Sequence, residues 1–206
     1  MSDAVASVEG FKKGRVPREV RVRQLLDHAE RLFLAEGFDG FSIEDLCRAA
    51  GVSRPVVYEH FGSKEGVYLA CQQRVRDEFD EALRAALAGT EIDEIIREVA
   101  DVYFGMLEAD PRRWLFVFGS TSGFAGPMAE TLYDMRLETI RGIAALAAAL
   151  RPDLPEEQVT AVAHMVSGAG EELGRWWMRN RQVPRARIVD YYVAGTRLLA
   201  RDLPRI

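Results

Sequence analysis

The chain has 206 residues, 48% hydrophobic and 29% charged, with only 8 Pro and 17 Gly. That composition excludes a disordered chain, a collagen-like chain and a Pro-rich scaffold, and the length suits one large domain or a small one plus a mid-sized one. The net charge of −5 is unevenly spread: Lys12 to Arg23 carries six cations against one acid, Glu19. A polyanion contact near that end competes with a merely solvated basic tail. No run reaches the roughly 18 consecutive apolar residues of a membrane helix; the most apolar, Ile143 to Leu150, is short and Ala-rich. No membrane partner is therefore expected. The first ten residues lack the charged-then-apolar pattern of a secretion signal, and Cys47 and Cys71 make no disulfide framework, so a reduced, cytoplasmic location is expected. His28, His60 and His164 stand at no ligand spacing to one another or to a Cys, so neither a metal nor a cofactor is expected.

Hairpin-turn signals are almost missing, and helical periodicity appears nearly everywhere. From Arg18 to Glu36, residues Val22, Leu25, Leu26, Ala29, Leu32 and Phe33 form the stripe of a helix with one buried face, which Gly37 ends. Ser42 caps a second helix with Asp45 as a rough capping box; its stripe is Ile43, Leu46, Cys47 and Ala50, and Gly51 stops it. Ser53 caps a third, Arg54 to Phe61, with Pro55 tolerated in the first turn. A long fourth helix runs from Lys64 to about Ala88. Thr90 opens a fifth to about Ala109, and Pro111 a sixth to Phe118. The Gly-rich stretch Gly119 to Gly126 precedes a seventh over roughly 127–150. Pro152 and Pro155 mark the loop before an eighth, which reaches about Arg181, and Pro184 begins a ninth that ends near Asp202. Nine helices, three short and then longer ones, predict an all-α protein of two domains sharing the fourth helix.

The segment Ser42 to Phe61 reads as a helix-turn-helix. Cys47 supplies a small residue at the helix crossing, Gly51 the turn, and Val52 and Val57 fill the angle. With Val57 inward, Arg54, Val56, Tyr58 and His60 face outward. Arg54 can donate two hydrogen bonds to a guanine edge and Val56 can touch a thymine methyl. Tyr58, His60 and Lys64 can hold phosphates. The pattern by itself also admits a tight turn between two core helices.

The stretch Phe38 to Gly66, above all Gly51 to Glu65, resembles the DNA-binding domain of the TetR family of transcriptional regulators. Tyr58, the pair His60-Phe61 and the helix start Ser63-Lys64-Glu65 carry the likeness, over a quarter to a third of the chain. Two positions depart from the family: Cys47 stands where Ala is usual, and Pro55 where a small residue is common. The resemblance implies a nine-helix homodimer with an N-terminal three-helix DNA-binding domain and a larger C-terminal helical domain for ligand binding and dimerisation. It also implies repression of a palindromic operator, relieved by a small-molecule effector. Double-stranded DNA is then contacted through Ser42, Ser53, Arg54, Pro55, Val56, Tyr58, His60 and Lys64. On this basis residues 1–17 are a basic arm with Lys12, Lys13 and Arg15, 18–63 the DNA-binding domain, and 64–206 the ligand and dimerisation domain, with 64–88 as connector.

The second domain has no shared motif. Aromatic and Met residues cluster on its middle helices, and Phe104, Trp114, Phe118 and Met128 are candidate walls for an apolar ligand, although such a set also serves as plain core. His164 and Glu171, seven apart, are candidate polar anchors; the alternative is a satisfied core His and a solvent-facing Glu. Val162, Val166, Gly170 and Gly174 form a ridge that shrinks toward its C-terminal end, and Tyr191, Tyr192, Gly195 and Leu199 do likewise on the last helix. Together they are the expected dimer interface, the alternative being a helix pair buried within one chain. Enzyme signatures are missing: no phosphate loop, no nucleophile elbow and no paired His–Glu metal motif. An all-helical enzyme and a DNA-binding dimer without a small effector stand as the rival functions.

Overall fold

The computed structural model describes residues 16–87, 89, 91–119 and 123–201. Among these residues there are nine helices and no strand: α1 (Arg18–Gly40), α2 (Ile43–Ala50), α3 (Arg54–Phe61), α4 (Lys64–Ala86), α5 (Ile92–Ala109), α6 (Pro111–Phe118), α7 (Gly126–Leu150), α8 (Glu156–Met178) and α9 (Arg185–Arg201). Lys12, Lys13 and Arg15 of the expected arm, the starting residue Thr90 and the ends at Ala88 and Asp202 lie outside the described residues.

The residues group into two compact units that divide within α4, between Arg76 and Asp77. The first unit thus runs past the expected boundary at 63/64. Its reason is burial: Val67, Tyr68, Cys71 and Val75 of α4 join a core with Leu25, Ala29 and Phe33 of α1. Phe33 stacks on Phe41 at 4.0 Å between ring centroids and meets the edge of Tyr68 at 5.0 Å. Arg74 binds the carboxylates of Asp27 (2.6 Å) and Glu30 and the Leu26 carbonyl (3.1 Å), so the α1–α4 seam is charged as well as apolar.

Local signals set the short helices. The Ser42 hydroxyl accepts from the Asp45 amide (3.1 Å) and donates to the Asp45 carboxylate (2.5 Å), which is the expected cap. Gly51 closes α2 with φ 65°, a conformation that any Cβ would strain. Ser53 occupies the N-cap position of α3, but its side chain makes no capping bond. Ser63 instead caps α4 by accepting from the Gly66 amide (3.1 Å). Gly66 itself is required there, since a Cβ would fall on the Phe61 carbonyl oxygen.

In the second unit, α5 packs along α9, α7 along α8, and α8 on α9, with α6 against α5. Phe104, Leu107, Trp114, Trp177, Ile188 and Val193 form its centre. The Asp110 side chain caps α6, accepting from the amides of Arg112 (2.9 Å) and Arg113 (3.3 Å). Helix α8 stops at Met178, earlier than the expected Arg181, because the Trp177 indole donates to the Val183 carbonyl (2.7 Å) and folds the chain into the turn before α9.

Cys47 departs from expectation. It is only half-buried, and the crossing of α2 is filled by Leu46 and Ala50 instead, with Val57 opposite on α3. Cys71 is the enclosed thiol, and burial pushes its pKa up to about 12; partial burial raises that of Cys47 as well. Thiolate supply and access both favour Cys47. In mildly alkaline buffer one thiol per native chain should react with a disulfide reagent, Cys47→Ser should abolish that phase, and Cys71 should react only on unfolding.

Candidate nucleic-acid interface

Helix α3 has eight residues and buries one of them, Val57, at its centre. Everything else on it is half-buried or open. Arg54, Pro55, Tyr58 and Glu59 face solvent, Tyr58 with 47% of its surface accessible, and Val56 is half-buried. This surface is what a helix entering a major groove needs: a bidentate donor at its N-terminal end, apolar atoms beside it and a phenol one turn on.

The Arg54 guanidinium pairs with Glu44 in the first turn of α2. Glu44 was not among the expected site residues, yet it sets where the Arg54 fork rests. Lys64 is positioned by two aromatic rings. Its ammonium lies 4.6 Å from the centroid of Phe38 and 5.9 Å from that of Phe41, and it donates to the Asp39 carbonyl at 3.4 Å. The hydroxyl of Ser42 is committed to Asp45, whereas Ser53, without a capping bond, keeps its hydroxyl open. His60 is half-buried, and its Nδ1 is shut away from solvent with no hydrogen-bond partner.

A cleft of about 630 Å³ runs beside α3, lined among others by Arg18 and Arg21 of α1 and by Ser53, Val56, Glu59 and His60. Thus the end of the basic segment that begins at Lys12 reaches the flank of α3. Sequence reasoning found that segment but not its neighbour, because the α1–α3 approach joins residues more than thirty positions apart. Glu44 and Phe38 were missed because each meets its cation, Arg54 or Lys64, across a chain turn that helical periodicity does not describe. The nearest available signal was the acidic first turn of α2, Glu44-Asp45, facing a helix that starts with Arg54.

In the second unit Phe104, Trp114, Phe118 and Met128 are all buried. The first three meet around Tyr103, whose ring centroid lies 5.1, 5.8 and 5.0 Å from theirs. His164 and Glu171 do not come together as anchors. His164 is exposed, and Glu171 is buried in an ion-pair cluster: Arg136 holds both carboxylate oxygens at 2.9 and 2.8 Å, and Arg175 adds a third bond at 3.2 Å. Both alternatives, a core His and a solvent Glu, are therefore reversed. Seven residues return a side chain to the same face about 10 Å farther along the axis, and burial there depends on which helix lies opposite.

The expected dimer ridge is also turned inward. Val162, Val166, Gly170 and Gly174 are buried within the chain. A Cβ at Gly170 would stand 3.3 Å from the Tyr192 ring and 3.5 Å from that of Tyr103; one at Gly174 would stand 2.7 Å from Trp114. The glycines make room for the protein's own aromatics. On α9, Tyr191 and Gly195 are exposed, while Tyr192 and Leu199 are half-buried. The outward apolar residues of the α8–α9 pair are Met165, Trp176, Tyr191 and Leu198.

Among the described residues, no group of His, Cys, Asp and Glu could hold a metal ion, and no helix is long and apolar enough to cross a membrane. One long helix and two eight-residue helices with an open outer face, followed by a larger helical unit, define a helix-turn-helix protein of the all-α class. Residues 25–71 match the family model for bacterial regulatory proteins of the tetR family. The chain is 34% identical over 111 residues to the HTH-type transcriptional activator FasR of Mycolicibacterium smegmatis, covering 53% of this chain and 51% of FasR. It is 33% identical over 94 residues to the HTH-type transcriptional repressor AcnR of Corynebacterium glutamicum, covering 45% and 43%. These matches span about half the length of the curated relatives or less. A TetR-like transcriptional regulator from Rhodococcus sp. RHA1 superposes with a TM-score of 0.64 at 25% identity, over 90% of this chain and 96% of that one. Residues 25–71 thus form a DNA-binding domain of the tetR family, and the described chain shares the fold of TetR-like transcriptional regulators.

The inward glycines give a direct test. Gly174→Leu should lower the melting temperature, by a destabilisation of about 1–3 kcal/mol or more through overpacking against Trp114. Light scattering should show the mass per particle unchanged in whatever fraction stays folded. A folded variant with a lower mass and an unchanged melting temperature would return the ridge to the subunit interface.

Proposed function

We propose that this chain is a homodimeric DNA-binding transcriptional regulator that represses a palindromic operator and is released from it by a small, largely apolar effector. The observation that carries the proposal is the open face of α3, with Arg54, Pro55 and Tyr58 exposed around the buried pivot Val57. Arg54 reads a guanine edge and Val56 and Pro55 touch thymine methyls, while Ser53, Tyr58, His60 and Lys64 hold phosphates. Ser42 acts by fixing the first turn of α2. Arg18 and Arg21 extend the cationic edge along the cleft flank.

One eight-residue helix specifies few base pairs, so two copies must meet successive major grooves, about 34–36 Å apart. The surface that supports pairing is the outward apolar face of α8 and α9, with Met165, Trp176, Tyr191 and Leu198, continued by Gly195 and Leu199. The effector's place is the aromatic cluster around Phe104, Trp114 and Phe118, with Met128. Helix α4 belongs to both units and is the connector by which effector binding changes the operator-competent population, provided the effector prefers one state. Repression is the sign carried by the name of AcnR, activation that carried by FasR.

Selection from a random duplex library with the purified protein tests the function: an enriched inverted repeat supports it, and no enrichment overturns it. Binding to the selected site against random DNA then separates the roles. Arg54→Ala should cost about 1–3 kcal/mol and relax preference at one position of each half-site. Lys64→Ala should weaken binding to every sequence and reduce the salt slope by about one. Assembly has its own test. A Met165→Glu, Leu198→Glu double variant should sediment as a helical monomer that binds the operator poorly, whereas a surviving dimer would place the interface elsewhere.

A further inference from the structure

Two polar atoms in the second unit are buried without a partner: the Tyr103 hydroxyl and the Trp114 indole N–H make no hydrogen bond. Trp114 is fully enclosed, whereas the Tyr103 ring keeps some accessible surface although its hydroxyl does not. The two rings meet edge to face, 5.8 Å between centroids. The indole N–H lies near enough to the phenol to favour its ionised form, yet outside hydrogen-bonding geometry. Around Tyr103 stand Phe79, Phe104 and Phe118, at 6.2, 5.1 and 5.0 Å. Helix α8 makes room for both rings with Gly170 and Gly174.

An unpaired buried donor lowers the stability of a fold, and here two stand side by side. An indole N–H only donates, and a phenol can donate or accept. Burial, reinforced by the Glu171 carboxylate, holds the Tyr103 pKa well above its ordinary value, so the phenol keeps its proton. Both groups thus offer hydrogen to one neighbourhood walled by aromatic rings. Nearby charge disfavours an anion: Arg136 and Arg175 are bound to Glu171, and the carboxylate repels a second one. A water molecule would satisfy both donors but would direct its own hydrogens at rings. A carbonyl oxygen accepts twice and asks for nothing more.

We propose that Tyr103 and Trp114 form the recognition point for a neutral carbonyl group on an otherwise apolar effector. The proposal rests on the effector part of the function above and is independent of its DNA part. It also replaces His164 and Glu171 as polar anchors.

Thermal melting of the full chain, without DNA, provides the test, using acetophenone, its near-isostere ethylbenzene and benzoate at equal concentration. Tyr103→Phe without ligand should melt at or above the wild-type temperature, because no bond is lost. Acetophenone should raise the wild-type melting temperature more than the other two, and Tyr103→Phe should bind it about tenfold more weakly. Three results would overturn the proposal: a clear drop in the ligand-free stability of Tyr103→Phe, as a trapped water would give; an equal response of both proteins to acetophenone; or no response to any probe. Since melting reads binding alone, failure here leaves the library selection for DNA binding untouched, and failure of that selection leaves this result standing.

Discussion

An eight-residue helix is not stable in water by itself, and both α2 and α3 have that length. The first unit is arranged to hold them. Phe33 of α1 is the fixed point: it stacks on Phe41 at the entrance to α2 and on the edge of Tyr68 in α4, so three segments converge on one ring. From there Ile43, Leu46 and Ala50 bury the inner side of α2, and Val57 pins α3. Arg74, tied to Asp27, Glu30 and the Leu26 carbonyl, stops α4 from sliding along α1. With so little of α3 buried, its outer residues are free of structural duty. That freedom is what a recognition surface needs.

The positioning of Lys64 follows from the same cluster. Phe38 and Phe41 present their faces to its ammonium, and the same rings pack in the core, Phe41 stacked on Phe33 and Phe38 edge to face with Tyr68. A long flexible cation is thereby ordered before any ligand arrives, which reduces the entropy lost when it binds. Arg54 is ordered differently, by the charge of Glu44. One is held by rings, and remains a cation toward solvent. The other is held by an acid, which partly cancels its charge and makes its orientation more valuable than its attraction.

How much of this was legible in the sequence depends on range. Features set within four residues were readable: the Ser42–Asp45 cap, the Gly51 stop, Pro55 in the first turn of α3 and the aromatic-rich stripe of α5 and α6. Periodicity also gives the direction of a side chain, but not what lies opposite. Gly170 and Gly174 sit on a small-residue ridge that fits a subunit interface as well as a core. Only Trp114 and Tyr103, some sixty residues earlier, decide between them. Glu171 is buried because Arg136 on α7 reaches it, whereas His164 on the same face finds no such neighbour and stays exposed. The Cys47 expectation failed on a smaller scale: Ile43, Leu46 and Ala50 share the centre of the buried face, and Cys47, about 100° round the helix from Leu46, is left at its edge.

Charge limits how the proposed regulator can work. Residues 1–76, the first unit, hold twelve cations and eleven acids, so this end is close to neutral, and the remaining residues carry a net −6. A neutral head gains little from general attraction to a polyanion, and the acidic body is repelled by it. Non-specific affinity should therefore be small, and discrimination must come from geometry: an Arg54 aimed by Glu44, a Lys64 aimed by Phe38, and two heads at a fixed spacing. As the proposed dimer, such a protein would respond sharply to a change in that spacing, since little electrostatic attraction would remain to keep it on the duplex once the second head had lost register. In the proposed dimer, a modest preference of the proposed effector for one state would then be enough to empty the operator, because the DNA itself contributes the rest of the difference between two heads bound and one.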